Sequence, residues 1–311
     1  MIKKIRAKTE PLFQKIFAFS KKVFLPGFKG ISLYETMLYL INGLKKNSII
    51  DRAYSISYKF LIASFPAIIF LFSLIPYIPI EGLQESMLNS ILTALPDKLA
   101  VYLSGFFEDL LLHKKATVLS VGFLITIFFA SNAMNAVLKG FNSSYHLNRM
   151  KQKAITVRLW SIALMFIFSI ILIAATLVFI LGGLLIDYLQ EWDLIRSSVE
   201  IWIIWIIEWF VILLLFMLAV SILYNIGNSE KEKWQLISPG VVFSTLMIWV
   251  FTQAFSLFVS YVAPFNKLYG SLGTVIILLL FIYYFFAILL IGFELNLSIQ
   301  AAKISKKEKR S

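Results

Sequence analysis

Residues 159–186 read LWSIALMFIFSIILIAATLVFILGGLLI, a run without a single Asp, Glu, Lys or Arg. An α-helix rises ~1.5 Å per residue and needs ~20 apolar residues to cross ~30 Å of hydrocarbon. This stretch therefore reads as a membrane crossing. Five basic residues lie between Lys139 and Arg158 on its N-terminal side, and one, Arg196, follows it. Working outward, five further segments have the same character: residues 56–79, 117–138, 201–226, 236–262 and 270–301.

The basic residues sort themselves alternately across these six segments. Those in the leader through Lys59, in 139–158, in 231–233 and in 303–310 number 24 of the 29 Lys and Arg; the intervening loops hold the other 5. Lys and Arg are retained on the cytoplasmic side during insertion. The pattern thus predicts an all-α polytopic membrane protein with six crossings and both termini cytoplasmic. It divides into a basic amphipathic leader (1–50), a membrane domain (51–302) with an outer loop at 80–116, and a basic tail (303–311). The first crossing begins some fifty residues in and is too long for a signal-peptide core, so it is expected to act as a retained signal anchor.

Composition agrees. Hydrophobic residues make up 59%, above the ~45–50% usual for soluble domains, and mean hydropathy is +0.84. The net charge of +12 falls on the inferred cytoplasmic face. Membrane lipids with anionic headgroups are therefore the expected partner, and nucleic acid is not. The chain has no cysteine, and its two histidines, His113 and His146, fall on opposite sides of the inferred membrane. Disulfides and thiolate sites are excluded, and no metal or other cofactor is expected.

Within the leader, Leu12, Phe13, Ile16, Phe17, Val23 and Phe24 recur at near-helical spacing, suiting an interfacial helix that ends at Pro26-Gly27. Ser32 and Glu35 have the spacing of a capping box and predict a second helix with Leu33, Met37, Leu40, Ile41 and Leu44 on one face. In the outer loop, Leu83 to Leu95 and Leu99 to Leu110 predict two amphipathic helices, separated at Pro96-Asp97 with Asp97 as N-cap.

Ionisable and amide groups at membrane depth are costly, so they mark candidate sites. Asn132, Asn135 and Lys139 are spaced three and four apart and share one face of the second crossing. That stripe reads either as interhelical hydrogen bonding or as the lining of a water-filled groove, which Gln253 would also face. Glu208, beside Trp202, Trp205 and Trp209, reads as reaching outward through an interfacial belt, or else facing a cavity between helices. Glu294 near the end of the last crossing and Arg52 and Lys59 near the start of the first are expected to meet as an ion-paired clamp, with contact to a substrate, Glu294 lying on its path, as the alternative. Gly270, Gly273 and Gly182-Gly183 read as close helix packing. The catalytic pairs of an intramembrane enzyme, Ser–Lys or Asp–Asp at matched depth, are not found, and no enzyme activity is expected.

Several strings taken in order carry a resemblance. These are Ala53-Tyr54-Ser55-Ile56-Ser57-Tyr58 leading to Ser64-Phe65-Pro66, Lys139-Gly140-Phe141-Asn142 followed by Tyr145, Pro239-Gly240, Tyr269-Gly270-Ser271-Leu272-Gly273, and Gly292-Phe293-Glu294-Leu295-Asn296. With six crossings, the chain resembles the YihY/BrkB family of bacterial inner-membrane proteins from about Leu33 to Ala301. The resemblance implies a bacterial plasma-membrane location, places Asn142, Tyr145, Gly270 and Glu294 among the family-like positions, and suggests a pathway for a lipid or other amphiphile. Some members carry a ribonuclease BN label. Metal-dependent RNA cleavage requires clustered histidines and carboxylates, and here both are scattered. The sequence leads to a protein that moves or exposes an amphipathic substrate, with a non-transporting membrane scaffold as the alternative.

Overall fold

The computed structural model describes residues 27–28, 30–46, 48–80, 82–94, 97–144, 153–192, 198–228, 234–262 and 271–308. The expected leader helix, Tyr145, His146, Gly270 and the connection at 264–269 lie outside the described residues. Every regular element among the described residues is helical. They are α1 (Leu33–Lys46), α2 (Ile49–Leu74, continued by a 3-10 turn at Ile75–Tyr77), α3 (Leu83–Ala94), α4 (Asp97–Leu111), α5 (Ala116–Asn142), α6 (Ala154–Glu191), α7 (Ser198–Gly227), α8 (Pro239–Val262) and α9 (Ser271–Glu308).

Local chemistry explains where these helices begin. Ser32 Oγ accepts the Glu35 N–H at 3.2 Å while Glu35 Oε2 accepts the Ser32 N–H at 3.3 Å, the reciprocal capping box expected from the sequence. Gly27 turns the chain toward α1 at φ 87°, a left-handed conformation that glycine adopts without steric cost. Ser48 Oγ accepts the Asp51 N–H at 3.2 Å and caps α2. Pro239 opens α8, where its missing N–H leaves no hydrogen bond unmade.

Among the described residues, six helices are long and apolar enough to span a membrane: α2, α5, α6, α7, α8 and α9. Two of them overrun the expected limits. α6 and α9 each have 38 residues, a length of ~57 Å that projects well beyond ~30 Å of hydrocarbon. Hydropathy marks only the apolar part of a helix, whereas the backbone ladder continues into polar flanks.

The spanning helices pack in chain order, α2 on α5, α5 on α6, α6 on α7, α7 on α8 and α8 on α9; α9 then returns to α2 and α1. This is a closed ring of antiparallel neighbours. The α2–α9 seam carries a Tyr54–Tyr283 stack at 4.5 Å and an edge contact of Phe60 on Phe286. The main core lies at the end where α2 begins and α5 finishes, around Ile56, Leu138, Phe141, Leu290 and Phe293. We call this the basic end. The outer faces of α6 and α7 expose Leu172, Phe179, Trp202 and Phe210, each 58% or more, as a lipid-facing surface requires. At the opposite end, Ile75, Leu88 and Leu111 form a small second core, which ties α3 and α4 to the end of α2.

Candidate functional site

The strings at 139–142, 239–240 and 292–296 converge on a polar knot at the basic end. Glu294 of α9 is wholly buried, and its Oε1 accepts the Ser144 hydroxyl at 2.9 Å. Arg52 of α2 approaches it, Nη2 to Oε2 at 3.8 Å, and donates through Nη1 to the Gly140 carbonyl at 2.9 Å. That carbonyl belongs to the last turn of α5, whose intrahelical partner is missing, so Arg52 also acts as a C-terminal cap. Two residues further along α9, Asn296 Oδ1 accepts the Gly240 N–H at 2.7 Å and its Nδ2 donates to Ser238 Oγ at 2.8 Å. Tyr224 donates to the Leu289 carbonyl at 2.6 Å and shares a 2.6 Å hydrogen bond with Ser244. Gly240 and Gly292 permit this approach: a Cβ on Gly240 would collide with the Gly292 carbonyl, and one on Gly292 with Ser244 Oγ. Phe141 stacks on Phe293 at 4.1 Å and fills the space beside Gly227. Arg52 Nε and Nη2 are buried without a hydrogen-bond partner, so Nη2 meets Glu294 by charge alone; the contacts join α2, α5, α8 and α9, and the knot reads as a clamp on the ring.

A second polar constellation differs in kind. Between α2 and α5 lies a cleft of about 440 Å³ lined by Tyr58, Lys59, Ile62, Phe129, Asn132, Asn135 and Lys139. Asn132, Asn135 and Lys139 share a face of α5, as the spacing predicts. Lys59 stands across from them on α2, ~15 Å along that helix from Ile49. Arg158 of α6 donates to Asn132 Oδ1 at 2.6 Å and fixes that carboxamide from behind. Asn135 Oδ1 is buried without a hydrogen-bond partner. Among the described residues, the ion pairs join Arg52 with Glu294 and Asp109 with His113 and Lys115, and none reaches Lys59 or Lys139. Both lysines are exposed along the cleft, and an ammonium without a carboxylate partner is suited to receiving an anion or water.

A larger groove of about 620 Å³ runs between α1 and the adjoining parts of α8 and α9, lined by Phe28, Leu33, Met37, Val242, Ile291 and others. Its polar groups are already engaged: Thr36 Oγ1 donates to the Ser32 carbonyl, and Ser238 Oγ accepts from Asn296. It offers a ligand hydrocarbon contact only.

The remaining sequence candidates separate. Lys59 does not join Arg52 and Glu294 as expected; it stands seven residues from Arg52, ~10 Å deeper, and lines the cleft instead. Gln253 does not face the groove with Asn132. It is exposed on α8, which packs on α7 and α9 while the cleft lies between α2 and α5. Glu208 is half-buried, with its carboxyl over Gly182 of α6 in the space a Cβ would need. Gly273 is buried in the first turn of α9, and Asn142 is the half-buried last residue of α5. Sequence reading missed Arg158, Ser144, Asn225 and Tyr224. Asn225 closes the α7–α8 connection, with Oδ1 accepting the Gln235 N–H and Nδ2 donating to its carbonyl, both at 3.0 Å. A tyrosine late in an apolar helix and an arginine before one carry no spacing signal that tells packing from a solvated flank. Among the described residues, no group of three His, Asp or Glu could hold a metal ion.

A sequence profile described as virulence factor BrkB matches residues 40–311. The ribonuclease-like protein YfkH of Bacillus subtilis is 28% identical over 257 residues, covering 81% of this chain and 90% of that protein. UPF0761 membrane protein IL2447 of Idiomarina loihiensis is 24% identical over 238 residues, covering 74% and 77%. No solved structure matches.

Proposed function

The chain belongs to the virulence factor BrkB family, and on that premise we propose that it moves or exposes a lipid or other amphipathic substrate along the α2–α5 cleft. The observation that carries this reading is the pair of lysines, one from each helix, opposed across a cleft that also presents two carboxamides and the apolar Ile62 and Phe129. Polar and apolar lining side by side match a molecule with a headgroup and a tail. The excess of Lys and Arg on alternate connections supports a plasma-membrane orientation with both termini in the cytoplasm, which puts the basic end, and the Lys139 mouth of the cleft, on the inner leaflet. On this reading the protein is a carrier and not an enzyme, unlike what the name of YfkH suggests for that relative. The cleft offers amines and amides, with no carboxylate or imidazole to act as a general base.

The test is leaflet exchange of labelled lipid in liposomes containing the purified protein, against empty liposomes. Exchange that requires the protein supports the reading; a folded protein that exchanges no lipid removes it.

The second reading is a non-transporting envelope scaffold. It is favoured by the outer helices, where α3 presents Ser86, Asn89, Ser90 and Thr93 along one face and α4 exposes Val101 and Phe106. On that reading, deletion of the outer loop abolishes recovery of a crosslinked partner and leaves any flux unchanged.

A further inference from the structure

We propose that the α2–α5 cleft recognises a phosphoglycerol-type headgroup: an anionic phosphate ester bearing free hydroxyls, with Lys59 and Lys139 on the phosphate and the two carboxamides on the hydroxyls. The proposal rests on the reading of the cleft as the substrate site and names the chemistry that site selects.

Charge comes first. Lys59 and Lys139 face one cleft from different helices, and no described carboxylate lies within ion-pair distance of either. A lysine ammonium donates three hydrogen bonds and accepts none, so the complementary group is an anionic acceptor. A phosphate diester supplies one charge and several acceptor oxygens. A choline headgroup would bring a quaternary ammonium toward two amines, with no carboxylate to receive it.

The carboxamides then narrow the class. Arg158 occupies Asn132 Oδ1 and leaves Nδ2 as the donor of that side chain. Asn135 presents a buried Oδ1 with no hydrogen-bond partner. An unpaired donor and a buried, unpaired acceptor in one cleft lining are both answered by a hydroxyl, which is donor and acceptor at once. Ile62 and Phe129 in the same lining take the glycerol backbone and first methylenes of a lipid. A volume of about 440 Å³ holds a headgroup of this size.

The experiment measures equilibrium binding to the purified full-length protein of short-chain phosphatidylglycerol, phosphatidylethanol (the same phosphate diester without hydroxyls), phosphatidylcholine and soluble glycerol 3-phosphate. Phosphatidylglycerol is expected to bind at least tenfold more tightly than phosphatidylcholine and severalfold more tightly than phosphatidylethanol. Lys59→Ala with Lys139→Ala is expected to erase the first preference, and Lys59→Arg with Lys139→Arg to keep it. Asn135→Leu is expected to erase the second while retaining the first. Equal binding of phosphatidylglycerol and phosphatidylcholine, or an unchanged preference in the folded double-alanine protein, overturns the proposal. Glycerol 3-phosphate binding as tightly as the lipid keeps the headgroup chemistry but assigns it to a soluble ester. Selective binding without leaflet exchange keeps this inference and removes transport; exchange without headgroup preference does the reverse.

Discussion

Arg52 of α2 and Glu294 of α9 face each other at 3.8 Å across the seam that closes the helix ring, with Glu294 wholly buried and Arg52 nearly so. The two residues stand at opposite ends of the spanning sequence, so their approach joins the first crossing to the last. Arg52 also holds the Gly140 carbonyl, which brings the end of α5 into the same contact.

Removing one partner leaves a buried charge without compensation, which costs ~3–5 kcal/mol. Glu294→Ala is therefore expected to lower thermal stability in detergent sharply, and so is Arg52→Ala. Arg52→Met combined with Glu294→Leu should recover much of the loss. Additive losses in the double variant would mean that the pair is not coupled.

The α8–α9 contact depends on two glycines. Gly292→Ala places a methyl group against Ser244 Oγ, and overpacking of this kind costs ~1–3 kcal/mol. Gly183→Ala is the matched control, because nothing lies within 4 Å of the added carbon. There the helix should gain ~0.5–1 kcal/mol. Thermal unfolding of the two variants should move in opposite directions.

Asn296 supports the start of α8 through Gly240 N–H and Ser238 Oγ. Asn296→Ala should cost ~0.5–2 kcal/mol, the range for a lost helix cap. Hydrogen–deuterium exchange should rise first in the opening turn of α8.

At the end of α4, a hydrogen bond from Lys115 holds the Asp109 carboxyl below its ordinary range, with the Lys115 and His113 charges adding to the effect. A carboxylate depressed by folding contributes stability above its unfolded pKa of ~3.9 and loses it as pH falls through the lower folded value. Acidification below about pH 4 should therefore loosen the end of α4, seen as faster exchange of its amides after correction for intrinsic rates. Lys115→Ala should shrink that acid-dependent change, because the stabilisation Lys115 supplies is then missing at every pH.

The number and order of crossings were legible because they depend on charge and hydropathy, which are properties of composition along the chain. The capping box at Ser32 and Glu35 was legible because its partners are three residues apart. The facing of the spanning helices was not. In α7 and α9 apolar residues surround the whole helix, so no periodicity separates the lipid side from the ring side. Arg52 and Lys59 share a helical face two turns apart, yet only Arg52 stands level with Glu294. The stripe Asn132-Asn135-Lys139 was legible as a face of α5, but its partners Lys59 and Arg158 come from two other helices. Gln253 misled because membrane depth alone does not say which neighbour a residue faces.

The absence of cysteine from the chain permits the most direct test of the cleft as the substrate path. A single Asn135→Cys variant in liposomes is modified with a bulky methanethiosulfonate reagent, and leaflet exchange of labelled phosphatidylglycerol is followed before modification, after it, and after reduction. A Ser86→Cys variant on the exposed face of α3 serves as the control. Exchange that stops on modification of residue 135, returns on reduction and ignores modification of residue 86 is the predicted result. Exchange that continues at its full rate through a cleft shown by mass spectrometry to be fully blocked would contradict the account.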